Sequence, residues 1–377
     1  MPNPNSIFTT WEEKTLGEVC DFQGGSQPPK NEWKKVFADG YVRMLQIRDF
    51  TQTEKTIPEY VKISAKLKLC ESTDILIGRY GASVGKILTG LSGAYNVAII
   101  KSIPDTNVII PEFLKYYFFG RYFQENLQKV CKTRAAQAGF SKEEIVDFKI
   151  AIPSIEEQRR IVRLLDKVFA DIEKAKQNIS RNIQNVKELF ESELHKLFTE
   201  NTGGWVEKDF EHCIKPITYT NKIQRKNFLD SGKFPIVSQE DALINGYWNE
   251  DVDVFKIDQP VVIFGDHTKK IKYVDFDFVL GADGVKILAP ITEIIPKYFY
   301  YCLQSIRIRD LGYARHYRLL KEKTIKYPDL RAQKEIVAKL DALHEQTQEL
   351  EQIYTQQIAD LDELKQAILK KAFNGEL

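Results

Sequence analysis

Residues Gly78 to Ile87 read GRYGASVGKI, a glycine-punctuated turn that ends in Gly85-Lys86 and invites comparison with a phosphate-gripping loop. Such a loop needs a glycine, four residues, Gly-Lys and then a hydroxyl for the magnesium ion. Tyr80 stands where the leading glycine belongs and Ile87 where the hydroxyl belongs, so nucleotide binding is not expected here. What remains is a tight turn, shaped by Gly81 and Gly85, with Arg79, Tyr80, Ser83 and Lys86 at its surface. Other chemistry-bearing residues do not assemble into a catalytic set. Pro104-Asp105 and Asp147-Phe148-Lys149 loosely follow the order of a magnesium-dependent nuclease, but the acids are distant and Phe148 sits in a strand-like run. No Asn/Asp-Pro-Pro-Tyr/Phe tetrapeptide of a base methyltransferase occurs, and GGSQPP at Gly24 to Pro29 lacks both the lead residue and the aromatic. His195, His212, His267, His316 and His344 show no metal-ligand spacing. Cys20, Cys70, Cys131, Cys213 and Cys302 are dispersed, which argues for a reducing compartment and against a disulfide framework. A chain without catalytic, metal or cofactor residues is expected.

The elements that position these residues emerge from an internal repeat. Pro153 to Phe198 and Pro328 to Phe373 align without a gap at an offset of 175, with 13 of 46 positions identical, Gln158/Gln333 and Asp166/Asp341 among them. Neither copy contains proline or glycine after its opening proline. Apolar residues recur in steps of three and four, at Ile161, Leu165, Val168, Ile172, Ala175 and Ile179, and, with Thr347 and Tyr354 keeping the same phase, at Ile336, Leu340, Leu343, Leu350 and Ile358. That narrow stripe is a coiled-coil seam. Forty residues at about 1.5 Å each give a rod of roughly 60 Å, too long to bury its stripe inside one domain, so each rod is expected to pair with the other.

Residues 1–152 and 199–327 form two larger segments rich in β-branched and aromatic residues, with runs such as DILIG, NVAIIKSI, QPVVIF and GVKILAP that read as strands. WEEKTL at Trp11 echoes WVEKDF at Trp205, and IIPEFLKYYF at Ile109 echoes IIPKYFYYCL at Ile294. The expected class is therefore α+β. Two globular domains with curved mixed sheets, 1–152 and 199–327, are separated by helical regions 153–198 and 328–377 packed as an antiparallel, pseudo-two-fold coiled coil. Two separated heads on such a frame suit duplex DNA, whose half-sites repeat with the helical turn.

Net charge is only +1, so any nucleic-acid interface must rest on local clusters. In the first head the candidates are Lys30, Lys34, Lys35, Arg79, Tyr80, Ser83, Lys86, Arg134 and Gln137. In the second they are Lys222, Arg225, Lys226, Ser238, Gln239, His267, Lys269, Lys270, Arg315, His316 and Arg318. Lysine and arginine would neutralise phosphates, and arginine, glutamine and serine can read base edges. The amino terminus, MPNPNSIFTT, has neither a basic region nor an apolar core, and no apolar run is long enough to span a bilayer, so a cytoplasmic location without membrane association is expected.

GGSQPP (Gly24 to Pro29), DILIGRYGASVGK (Asp74 to Lys86), YNVAII (Tyr95 to Ile100), GFSKEEIVDFKIAIPSIEEQRRIV (Gly139 to Val162), IVSQEDALINGYW (Ile236 to Trp248) and YPDLRAQKEIVAKLD (Tyr327 to Asp341) carry a resemblance. The chain resembles the specificity subunit of type I restriction–modification enzymes over essentially its full length. That resemblance implies two target-recognition domains on helical regions that act as a ruler. It also implies docking of two copies of the modification methyltransferase subunit, with a restriction/translocase subunit joining that core. Chemistry would then belong to the partners, with S-adenosylmethionine, ATP and magnesium. The same residues could serve a methyltransferase system lacking a nuclease, and an adaptor whose rods bind only protein is the different-class alternative. In the second half the glycine turn reads FGDHTKKIK (Phe264 to Lys272) instead of GRYGASVGK.

Overall fold

A computed structural model describes residues 11–132, 139–200, 202–312 and 314–377. It divides into two compact units, Met1–Asn178 with Gln357–Leu377, and Ile179–Gln356.

In the first unit β1 (Glu12–Thr15) leads through α1 (Leu16–Val19) into β2 (Cys20–Gly24), followed by β3 (Tyr41–Leu45), α2 (Ile47–Thr51), β4 (Tyr60–Lys62), β5 (Leu69–Cys70) and β6 (Leu76–Gly78). Next come β7 (Ile87–Leu88), β8 (Gly93–Tyr95), β9 (Ile99–Pro104), α3 (Pro111–Phe119), α4 (Arg121–Lys132) and β10 (Lys149–Ile152). The strands form sheets ordered β2-β9-β6-β7 and β4-β3-β8-β5, plus the antiparallel ribbon β1-β10. The β3–β8 pair is parallel and the others antiparallel, so the β4-β3-β8-β5 sheet is mixed and the β2-β9-β6-β7 sheet antiparallel. Pro111 starts α3, where a missing N–H costs nothing, and its aromatic face (Phe113, Tyr116, Tyr117, Phe118) is buried.

Ribbon β1-β10 delivers the chain into α5 (Ile155–Thr199), a helix of 45 residues. Its opening turn is held by a buried amide. Gln158 is 0% exposed. Its Oε1 accepts the Ile110 N–H at 2.9 Å, while Nε2 donates to the carbonyls of Val108 and Pro153, both at 2.9 Å. One side chain thus ties the start of α5 to the start of α3. One turn pair further on, the Tyr116 hydroxyl donates to Asp166.

The second unit repeats this plan. It contains β11 (Val206–Asp209), β12 (Lys222–Ile223), β13 (Phe234–Val237), β14 (Gly246–Trp248), β15 (Val254–Phe255), β16 (Val261–Gly265), β17 (Ile271–Val274), β18 (Phe278–Gly281) and β19 (Val285–Leu288). Helices α6 (Pro296–Ser305) and α7 (Tyr317–Lys321), then β20 (Thr324–Tyr327), lead into α8 (Leu330–Phe373). Sheets run β12-β18-β13-β14, with β15 on β18, and β17-β16-β19; β11-β20 is the ribbon. Gln333, again 0% exposed, accepts the Ile295 N–H at 2.8 Å and donates to Glu293 and Pro328 carbonyls at 2.8 and 2.9 Å. Tyr301 donates to Asp341 at 2.6 Å. The identities at Gln158/Gln333 and Asp166/Asp341 are therefore one structural device used twice.

The long helices bury their stripes in two ways at once. In the first unit Ile161, Leu165 and Phe169 of α5 join Leu369 and Ala372 of α8 and the aromatic face of α3 in one core. Lys176 pairs with Asp362, and Lys365 with Glu173 at 3.5 Å. In the second unit Leu194 and Phe198 of α5 and Leu340 of α8 share a core with Tyr298, Phe299 and Tyr301 of α6; Lys339 faces Glu193 at 3.6 Å and Lys187 faces Glu351 at 3.8 Å. Partner numbers fall as α5 numbers rise, so the two helices are antiparallel within each unit. Of the stripe residues, Ile161, Leu165, Ile172 and Leu340 are buried. Val168, Ile179, Ile336, Leu343 and Ile358 are half-buried. Leu350 is 39% exposed, and Thr347, one turn earlier, takes the buried position.

Candidate nucleic-acid interface

In the first unit the opening glycine stretch is the β6–β7 hairpin. Gly78 N–H donates to Lys86 O at 2.8 Å and Gly85 N–H to Gly78 O at 2.9 Å. Gly85 has φ +78, and a Cβ there would stand 2.5 Å from Gln124 Oε1. Gln124 Nε2 in turn donates to Gly85 O at 2.9 Å and Phe118 O at 2.7 Å, pinning the turn to α4. Arg79 is oriented by Nε donating to Phe140 O at 2.9 Å, and its guanidinium lies 5.2 Å from the Tyr80 ring centroid. Ser83 is half-buried and Lys86 exposed on the same turn. This hairpin offers two cations and one aromatic face on a fixed backbone.

Elsewhere in that unit Lys30 is already engaged: it bonds Glu59 Oε2 at 2.9 Å and lies 3.6 Å from the Trp33 ring centroid. Burial alone would raise the Glu59 carboxyl. Hydrogen bonds from Lys30 and Gln46, with the Arg48 charge, overcome that and hold it below the usual range. Lys34 lies 4.3 Å from the Tyr41 ring centroid and Lys35 is exposed. Arg134 and Gln137 lie outside the described residues.

The second unit gathers its cations differently. Lys222 Nζ donates to Val285 O at 3.3 Å and stands 5.0 Å from the Tyr219 ring centroid. Burial lowers its pKa, and the charges of Lys286 and Arg315 lower it further against Asp283 and Asp266. Lys286 reaches to 5.4 Å from the Tyr317 ring centroid. Among the described residues no ion pair neutralises Lys222, Lys286 or Arg315. Three cations therefore converge beside the turn from β18 to β19, flanked by Tyr219 and Tyr317. Lys286, Tyr219 and Tyr317 escape sequence reasoning because VKIL reads as an apolar strand and the tyrosines as packing. Only the charge inside that strand hints at a role.

The other second-unit candidates divide by environment. Lys226 and Arg318 are exposed. Arg225 is paired with Glu240 at 2.8 Å, Lys269 with Asp310 at 2.8 Å and Lys270 with Asp241 at 2.5 Å. Ser238 is buried, its hydroxyl donating to Asn245 Oδ1 at 2.9 Å. Gln239 and His267 meet at the β16–β17 turn, where Gln239 Oε1 accepts the His267 N–H at 3.1 Å. His316 is 0% exposed. Its Nε2 accepts the Leu311 N–H at 3.1 Å, which leaves Nδ1 as the protonated nitrogen facing Asp266 O at 3.1 Å. It is an internal strut.

Beneath the loop from Gln239 to Asn245, Lys272 is buried, with Nζ on Asn245 Oδ1 at 3.1 Å and on the Ala242 carbonyl. Burial depresses its pKa to about 8. A depressed lysine carries its charge penalty fully below that value and sheds it as pH rises toward 10.5, so stability gains over that window. Denaturation midpoints measured from pH 7.5 to 10 should therefore climb for the native chain relative to Lys272→Gln, and parallel profiles would disprove the assignment.

All five cysteines are free thiols and buried. Burial pushes Cys20 and Cys302 up to about 12. Among the described residues no group of three or more His, Cys, Asp or Glu could hold a metal ion, and no helix is long and apolar enough to cross a membrane.

A chain that builds a mixed-sheet globule twice, passes each into a long helix through the same amide clasp, and varies the cationic edge is a duplicated recognition module. It belongs to the type I restriction modification DNA specificity domain family, whose model matches residues 9–181 and 214–359. It is 26% identical over 197 residues to the specificity subunit of the Escherichia coli type I restriction enzyme EcoR124I/EcoR124II, a match covering 50% of this chain and 48% of that protein. The matched stretch thus spans about half the length of that relative. Among solved structures, a chain from work on complex assembly and conformational transition of the type I R-M system covers 99% of this chain and 100% of its own, at 18% identity and a TM-score of 0.77. The HsdS subunit from Thermoanaerobacter tengcongensis covers 100% and 99%, at 19% identity and a TM-score of 0.53. Those two likenesses define the fold.

Proposed function

We propose that this chain is the DNA-recognition subunit of a type I restriction–modification complex in the cytoplasm. Residues 1–152 and 199–327 each read one half of a bipartite, asymmetric target, and the helical regions 153–198 and 328–377 set the spacing between halves. Two methyltransferase subunits dock on this frame, and a restriction subunit joins through them. The partners supply catalysis, with S-adenosylmethionine, ATP and magnesium. One observation carries the proposal: the clasps at Gln158 and Gln333 are the same, whereas the edges of their units, Arg79 to Lys86 and Asp266 to Lys272, share only the closing lysine, which is exposed in the first and buried in the second. Keeping a frame while changing the edge is what two different half-sites require.

The test is genome-wide mapping of methylated bases in cells with and without this chain. A two-part motif that disappears on deletion is the expected result; a methylation pattern indifferent to the chain would leave an adaptor. Two narrower outcomes follow. Replacing Arg79 and Lys86 by alanine should weaken binding of the mapped duplex about tenfold at physiological salt and flatten the slope of log K against log salt by roughly two. Adding seven residues, two helical turns, to both α5 and α8 should change the spacer in the methylated motif and leave both half-sequences intact. An unaltered spacer refutes the ruler.

A further inference from the structure

We propose that Gln239 is a base-reading residue of the second recognition domain, presenting its amide NH2 to an acceptor on a base edge, with purine N7 as the group it fits. The inference rests on the DNA-recognition reading above. Gln239 emerges after β13 and threads between two glycines. A Cβ on Gly265 would come 2.9 Å from Gln239 Cβ, and one on Gly284 (φ +76) would come 2.9 Å from Oε1 and 3.2 Å from Cδ. Real side chains do not approach so closely, so the two glycines keep open the slot that Gln239 fills.

Inside that slot the amide is fixed at one end. Oε1 accepts the His267 N–H at 3.1 Å, and the Gln239 carbonyl accepts the Thr268 hydroxyl at 2.8 Å. The preceding Ser238 is buried and bonded through both N and Oγ to Asn245 Oδ1 at 2.9 Å, the same oxygen that takes Lys272. With the oxygen end tied, Nε2 is the end that remains: it has no partner among the described residues and is not a buried polar atom. The turn whose Gly284 touches Gln239 also carries Val285, the backbone partner of Lys222. A rigid donor thus sits one turn away from the Lys222, Lys286 and Arg315 cluster. Cations that hold phosphates place a neighbouring amide against base edges, and donation to N7 is a readout that glutamine performs.

The experiment uses the full chain complexed with its modification partner and duplex oligonucleotides carrying the mapped motif. A 7-deazapurine, which lacks only N7 as acceptor, replaces each purine of the half-sites in turn. The native complex should bind about tenfold more weakly at one position of one half-site. Gln239→Glu, which keeps the acceptor for His267 and loses the donor, should show less than a twofold penalty at that position and native penalties elsewhere. Because each protein is compared with its own binding to the unsubstituted duplex, general weakening cancels. An identical penalty pattern in native and variant complexes overturns the proposal. So does a loss of all binding by Gln239→Glu together with a lowered melting temperature, which marks a structural role. Absence of any methylated motif dependent on the chain would instead refute the DNA-recognition reading itself.

Discussion

Replacing Gln158 or Gln333 by alanine should destabilise its own unit by about 3 kcal/mol. Each amide, itself fully buried, satisfies three backbone groups that are buried or partly buried: Ile110 N–H with the Val108 and Pro153 carbonyls, and Ile295 N–H with the Glu293 and Pro328 carbonyls. A buried group stripped of its partner costs about 1–3 kcal/mol, and water entering the vacated space recovers part of the total for three. A chain with two units need not unfold in one step, so a single denaturation midpoint is not enough. Amide hydrogen exchange resolves the question by site. Gln158→Ala should accelerate exchange at Ile110 and leave Ile295 protected, and Gln333→Ala should do the reverse. Gln158→Glu should cost at least as much, because a carboxylate would face two carbonyl oxygens. A loss below 1 kcal/mol in both units would show that the apolar cores around α3 and α6, not the amides, fix where the long helices start.

The second large effect is on binding. Removing Lys222, Lys286 and Arg315 together, as alanines, should weaken duplex binding about a hundredfold at physiological salt and reduce the slope of log K against log salt by between about two and three. The fold should tolerate the change, because burial and then the charges of Lys286 and Arg315 already lower the Lys222 pKa, with Asp283 and Asp266 opposing them, and no ion pair among the described residues holds any of the three cations. Binding that collapses while melting temperature holds or rises is the expected pair of results. Unchanged binding would remove this cluster from the interface, and a drop in melting temperature would assign it to structure. Comparison with the Arg79 and Lys86 variant matters, since each should impair one half-site only.

Much of the frame was legible in the chain itself. A run of more than forty residues without proline or glycine, apolar in steps of three and four and repeated at an offset of 175, dictates two long helices. Proline at the start of IIPEFLKYYF and IIPKYFYYCL marks α3 and α6, because proline tolerates only the first turn. Gly81 and Gly85 mark the β6–β7 hairpin through their positive φ. All of these depend on local backbone preference or on periodicity, and sequence records both directly.

The polar edge depended on distant partners. Lys30, Lys269 and Lys270 look free in the sequence, yet Glu59, Asp310 and Asp241 neutralise them. Ser238 and His316 belong to polar stretches but are buried struts, while Lys286, inside an apolar strand, completes a cation cluster. Sequence by itself determined the repeat, the helices and the family, since these follow from spacing along one chain. Tertiary structure alone decided which charges converge, which cancel and which side of an amide is left to bond. Those outcomes are set by Coulomb energy and burial between residues tens of positions apart, and both depend on distance in space.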